Sequence, residues 1–143
     1  MTQKLIFLFT LIFLSSAQCN AKPTDDLIHE YGRQMSLDGV VVSRVYPGPP
    51  NYESIRGGDE AEHIWLLKLR KPIGLKDDGD PTSNNEAEKN IREIQLVIRS
   101  LKNEQLLKKS VGHPVRLTGA LFHALTGHHH LKILLDVKCV AMK

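Results

Sequence analysis

The sequence predicts a mainly β domain, a small five-stranded OB-like barrel with one helix between strands three and four. Five segments rich in apolar and β-branched residues are separated by turn-forming residues, as expected for short strands. A further segment, between the third and fourth of these, has the spacing of a helix. This order of elements is that of an OB-fold. An SH3-like barrel and an open α+β sheet are the alternatives, because doubly wound and all-helical folds need more helices.

The first two strands flank a proline-rich turn. The first is predicted over residues 36–46, where Gly39 marks a bend in a long curved strand. Residues 47–51 end it, because proline lacks the ladder N–H, and glycine and asparagine accept turn dihedrals. A loop then reaches Glu62, and the second strand is predicted over residues 63–69, ending at Pro72.

Residues 76–89 are predicted to form a polar, acidic loop. Oxygen-bearing side chains alternate in it as the ligands of a calcium loop do: Asp78, Asp80, Thr82, Asn84 and Glu86. However, Ser83 stands where a calcium loop needs glycine for its sharp turn, and Lys89 stands where it needs a bidentate glutamate. The sequence therefore argues against a calcium site in this loop.

Residues 91–107 fit both a helical face and a β-branched strand. We favour a third strand over residues 92–98 and a helix over residues 101–110, ended by Gly112 and Pro114. Residues 115–122 alternate as a fourth strand, and residues 131–137 form the fifth. Residues 126–130 join these last two strands.

The N-terminus has the order of a secretory signal. A single charge, Lys4, precedes an apolar run over residues 5–14, and small or polar residues follow it. Residues 1–21 are therefore predicted to be a signal peptide that is cleaved after Ala17 or Ala21, with a lead-in over residues 22–35 and the barrel over residues 36–143. Acylation of Cys19 is disfavoured, because Gln18 occupies a position where a lipoprotein signal needs a small residue. The predicted location is the periplasm of a Gram-negative bacterium, or outside the cell.

The predicted cleavage site decides the state of the two cysteines. Cleavage after Ala17 keeps both Cys19 and Cys139, which an oxidising compartment would allow to pair. Cleavage after Ala21 leaves Cys139 alone, as a small apolar residue of the last strand.

The charge and hydropathy of the mature domain argue against two classes of partner, nucleic acid and the membrane interior. Removal of Lys4 lowers the formal charge from +3 to +2, which is too small an excess for a nucleic-acid binder. No second apolar run is long enough to insert into a membrane. We expect a monomer that binds neither nucleic acid nor the membrane interior.

Two loops are predicted to form a ligand-binding face. In an OB-fold, the loops after strands one and four flank the ligand. Paired prolines stiffen the first loop, and the second carries a run of histidines. The predicted ligand-binding residues are Asn51, Tyr52, Glu53, His128, His129 and His130. We interpret the domain as a non-enzymatic binding module for an envelope protein or a small polar molecule.

The histidine run also raises a metal-site hypothesis, for zinc or copper. Side chains alternate in an extended segment, so His128 and His130 can share one side while His129 faces away. His123 would be the third ligand, and a carboxylate from Glu53, Asp59 or Glu62 would complete the site. The structural interpretation, in which the histidines are solvated or close the barrel end, is preferred because a histidine run is only a compositional signal.

A small hydrolase is the third hypothesis. His128 or His130 with Glu53 would supply acid–base chemistry. No nucleophile motif accompanies them, and Ser54 has no histidine and carboxylate in its sequence context. The sequence therefore favours binding over catalysis.

Several motifs together resemble a family of bacterial exported proteins, the domain-of-unknown-function family DUF4431. They are Gly48-Pro49-Pro50-Asn51-Tyr52-Glu53-Ser54-Ile55, Gly58-Asp59, Glu62, Ile94-Gln95-Leu96-Val97, Thr118-Gly119-Ala120-Leu121-Phe122-His123-Ala124 and Thr126-Gly127-His128-His129-His130. The resemblance implies a bacterial, exported protein, and it implies no activity. Two positions depart from the family pattern: Leu131 replaces a threonine, and Ile73-Gly74 occupies a place where the family has a cysteine. The resemblance therefore does not extend to a family-type disulfide.

Overall fold

Five long strands form the body of the domain in the computed structural model, which describes residues 28–143. A short strand, β1 (Ile28–Glu30), precedes β2 (Gln34–Pro47), β3 (Ala61–Lys76) and β4 (Glu88–Ile98). Helix α1 (Leu101–Ser110) follows, and β5 (Pro114–His123) and β6 (Ile133–Met142) complete the chain. The predicted signal peptide, its cleavage sites and residues 22–27 of the lead-in lie outside the described residues.

The strands close into a barrel with the pairing of an OB-fold. The order β3-β2-β5-β6-β4 returns to β3, because β4 also pairs with β3. The pairing of β4 with β6 is parallel, and the other pairs in the barrel are antiparallel. The prediction of a small OB-like barrel with a single helix is confirmed. The helix follows the fourth strand of the chain rather than the third, because β1 adds one strand outside the barrel, alongside β3.

Strand β2 pairs with β3 and with β5, and Gly39 lies where the two pairings overlap. Gly39 pairs with Leu69 of β3 on one side and with Val115 of β5 on the other. A Cβ atom at Gly39 would stand 2.8 Å from the Leu67 Cδ1 atom and would collide with the Lys68 carbonyl. The neighbouring strand therefore approaches Gly39 too closely for any side chain, and only glycine fits at this position.

Two strand boundaries differ from the predictions for physical reasons. The second barrel strand continues through Pro72 to Lys76, because the β3–β4 register shifts between Lys68 and Ile73, so the missing N–H of Pro72 falls at an irregularity of the ladder. The last strand begins at Ile133 and runs to Met142, beyond the predicted residue 137. The helix occupies the predicted residues 101–110.

Aliphatic side chains fill the barrel interior. Leu67, Leu117, Leu121 and Leu135 of the strands have no exposed surface, and Leu107 of α1 is buried equally completely. Within residues 28–143, no helix combines the length and the apolar character that crossing a membrane would need.

Cys139 lies on β6 and is disulfide-bonded. Cys19, the other cysteine of the sequence, lies outside the described residues, so the predicted pairing of Cys19 with Cys139 stays a prediction.

Candidate functional site

Two loops of the barrel touch each other through Tyr52 and His128. We call residues 48–60, between β2 and β3, the proline loop, and residues 124–132, between β5 and β6, the histidine loop. The Tyr52 hydroxyl oxygen lies 3.1 Å from Nε2 and 3.2 Å from Nδ1 of His128. A Cβ atom at Gly127 would lie 3.6 Å from the Tyr52 ring, so the ring packs along the glycine backbone. The two loops therefore form one continuous surface, as expected for the loops that flank the ligand in an OB-fold.

A buried carboxylate organises the proline loop. Asp59 is 6% exposed and accepts hydrogen bonds from the backbone N–H groups of Asn51 (2.9 Å), Glu53 (2.8 Å) and Ser54 (2.7 Å). The side-chain amide of Asn51 donates a fourth bond, at 3.1 Å. These donors, with the Ser54 N–H first, hold the pKa of the Asp59 carboxyl below its usual range. The loop is thus wrapped around an ionised carboxylate.

Gln95 holds the histidine loop through hydrogen bonds to its backbone, as Asp59 holds the proline loop. Its side chain projects from β4, is 4% exposed, and donates from Nε2 to the carbonyl of His128 at 2.9 Å. Its Oε1 atom accepts from the N–H groups of His130 (2.7 Å) and Leu131 (3.1 Å). One side chain therefore satisfies three backbone groups and fixes the direction in which the histidines point.

His128 and His130 both face Glu62, at the start of β3. Nε2 of His130 lies 3.0 Å from Oε2 of Glu62, and Nδ1 of His128 lies 3.5 Å from Oε1. The His130 ring stacks on Tyr46 with 4.6 Å between centroids, and only 9% of its side chain is exposed. The His128 side chain is 61% exposed. The pair therefore comprises one packed imidazole and one that solvent and ligands can reach.

His129 points away from this pair, as the alternation of side chains predicted. Its Nδ1 atom accepts hydrogen bonds from the N–H groups of Leu125 (2.8 Å) and Thr126 (3.3 Å), and its ring packs edge-on against Phe122. Burial first, and then the neighbouring His128 and His130, lower the pKa of His129. This histidine is a neutral acceptor that shapes its own loop.

The other predicted site residues lie as follows. Asn51 and Glu53 are exposed, and Glu53 contributes its N–H, not its carboxylate, to the Asp59 network. His123 ends β5 and contacts Glu88, with 3.7 Å between Nε2 and Oε1, rather than Glu62. Among residues 28–143, no group of three or more histidine, cysteine, aspartate or glutamate side chains could hold a metal ion.

Tyr46 and Gln95 are not among the site residues predicted from the sequence, and Glu62 was predicted only as one of three possible carboxylate ligands of a metal ion. Tyr46 pairs directly with Glu62 across β2 and β3, which brings the stacking ring to His130. Gln95 stands between the apolar residues Ile94 and Leu96 in a strand. A buried amide in such a position must find hydrogen-bond partners, and this was the available signal.

The chemistry available at this surface is that of polar recognition. Tyr52 and His128 of the two loops and Glu62 of β3 offer a phenol, an imidazole and a carboxylate. The phenol and the imidazole can donate or accept a hydrogen bond, and the carboxylate can accept one. The Oγ atom of Ser54 accepts from the Gly57 N–H at 3.2 Å and caps a one-turn 3₁₀ helix, Ile55–Gly57.

Residues 93–141 match the model of a family described as a domain of unknown function (DUF4431). The match confirms the family resemblance over this stretch, which runs from β4 through most of β6 and includes Gln95 and the histidine loop. The proline loop lies outside the matched residues. No curated protein matches the chain.

Proposed function

We propose that the chain is an exported, non-enzymatic binding module whose ligand contacts the face formed by residues 48–55 and 126–130. The observation that carries this proposal is the contact between the Tyr52 hydroxyl and the His128 imidazole, which joins the two loops into one surface. The ligand is an envelope protein or a small polar molecule.

The internal support of both loops favours binding. Asp59 holds the proline loop and Gln95 holds the histidine loop, each through several hydrogen bonds to the backbone. Loops that are already ordered lose little conformational entropy when a ligand binds. The same bonds leave Asn51, Glu53 and His128 exposed to meet a ligand.

The hydrogen bonds of two polar side chains weigh against a hydrolase. Ser54 is used as a helix cap, and the Nδ1 atom of His129 is used to accept backbone N–H groups. His128 and His130, the histidines that would act as acid–base groups with Glu53, contact Glu62 instead.

Export remains part of the proposal on the strength of the sequence alone. The charged, apolar and small-residue zones over residues 4–21 are those of a secretory signal. The site would then meet partners in the periplasm or outside the cell.

The test is affinity capture from an envelope extract, followed by calorimetry with the purified partner or small molecule. We expect Tyr52→Ala and His128→Ala each to weaken binding about tenfold or more, as loss of a central contact does. His113→Ala is the matched control, because His113 is also an exposed histidine in a turn but lies between α1 and β5. If both site variants keep every partner at wild-type affinity while remaining folded, the proposal is wrong.

A further inference from the structure

A groove away from the two loops lies where β2 runs between β3 and β5. Its volume is about 350 Å³, within the range of sites that hold small molecules. We propose that this groove binds a small amphiphilic anion, of the class of a free fatty acid. The aliphatic chain would lie along the groove, and the acidic group would meet two cationic side chains at its edge.

The walls of the groove suit an aliphatic chain. Val40, Leu69, Pro114 and Val115 line it, and they come from β2, β3 and β5. Val115 is fully buried and Leu69 packs against the core, whereas Val40 is half-buried and Pro114 is exposed. Val40 and Pro114 therefore present the apolar surface that is open to solvent here. Covering such surface with an apolar chain is favourable in proportion to the area removed from water.

The charges of the groove suit an anion. Lys68 and Arg70 line it, and they stand two residues apart on β3, so they project from the same face of the strand. Both side chains are exposed. An acidic group can therefore approach both cations without displacing a packed side chain.

The Asp38 carboxylate, which lines the groove, does not oppose the binding of an anion. Asp38 accepts from Nε and NH2 of Arg116 at 2.8 and 3.0 Å, and Lys143 contacts it at 2.6 Å. Its charge is thus already compensated by two partners. Lys68 and Arg70 are the exposed cations that line the groove beside it.

This site is independent of the proposed binding face. The groove is lined by residues 38–40, 68–70, 114–115 and 143, and none of these belongs to the proline loop or the histidine loop. Loss of ligand binding at the two-loop face therefore does not imply loss of anion binding in the groove, and the two proposals can fail separately.

Titration of the whole chain with decanoate below its micelle concentration, followed by NMR or calorimetry, tests the proposal. We expect saturable binding of decanoate, binding of decanol that is about tenfold weaker because it lacks the charge, and none of acetate, which lacks the chain. The double variant Lys68→Gln/Arg70→Gln should weaken decanoate binding about tenfold, since it removes two charge-assisted contacts. Val40→Asp should abolish binding, because it places a carboxylate on the apolar wall.

The control is Lys89→Gln/Arg92→Gln, which removes two exposed cations from β4. It should leave decanoate binding unchanged, and so should Tyr52→Ala. The proposal is overturned if decanoate fails to saturate, if decanol binds equally well, or if the two double variants have the same effect. Binding to phosphatidylglycerol vesicles without binding of free decanoate would also overturn it, and would indicate a lipid surface instead.

Discussion

At the scale of single residues, two buried polar side chains hold the candidate site in place. Asp59 accepts hydrogen bonds from N–H groups of its own loop, whereas Gln95 lies on a strand and forms hydrogen bonds with a loop that is distant in sequence. The first is an ionised acceptor, and the second must both donate and accept. Because Gln95 must both donate and accept hydrogen bonds, fewer residue types can replace it than can replace Asp59.

We expect Gln95→Glu to destabilise the domain by about 1–3 kcal/mol at neutral pH, although the two side chains have nearly the same shape. The carboxylate can still accept from His130 and Leu131, but its second oxygen would face the His128 carbonyl instead of donating to it. Urea unfolding of wild type and variant measures the difference. Gln34→Glu, at an exposed position of β2, is the control, and an equal cost in both variants would contradict the role assigned to Gln95.

At the level of the elements, the sequence predicted best the helix with clear end signals and the strand with clear alternation. Helix α1 has the predicted bounds because Gly112 and Pro114 end it, and β5 alternates cleanly. The length of β3 was missed because Pro72 falls at an irregularity that only the pairing with β4 creates. Strand β1 was missed because three residues are too few to show a period. The contact of Tyr52 with His128 followed from topology, whereas the role of Gln95 depends on a register that no local pattern encodes.

Helix α1 packs on the barrel through Leu107 and Leu106, and the Asn103 amide donates to the Lys138 carbonyl of β6 at 3.1 Å. Leu107 is fully buried, whereas Leu101 in the same helix is 78% exposed. We expect Leu107→Ala to lower the free energy of unfolding by about 2–5 kcal/mol, because it leaves a cavity in the core. Leu101→Ala should change it by no more than about 0.5 kcal/mol. Thermal and urea unfolding distinguish the two, and similar costs would mean that the helix does not pack as described.

At the scale of the whole molecule, the barrel is held together by pairings between distant parts of the chain. The first barrel strand contacts both the second and the fourth, and β4 and β6 run parallel although the helix and β5 separate them in sequence. The sequence predicted this closure only through the order of its elements. The ion pairs across β2, β5 and the residues after β6 could not be predicted, because they depend on which outward-facing residues become neighbours.

Asp38 makes one of these connections, and its titration should be visible in the stability of the domain. The guanidinium of Arg116 first, and Lys143 after it, lower the pKa of Asp38 from 3.8 to about 2, against the opposing effect of burial. Because the pKa is lower in the folded state, the stabilisation is fully present above about pH 4 and is lost as the pH falls towards 2.

We expect Asp38→Asn to cost about 1–2 kcal/mol at pH 7, since the pair is only partly buried. That cost should fall steeply as the pH approaches 2, where Asp38 of the folded wild type is about half protonated, and vanish below that pH. Denaturant unfolding from pH 7 to pH 2 measures it, with Asp77→Asn in the exposed acidic loop as the control. A cost that stays constant over this range would show that Asp38 acts through packing and not through its charge.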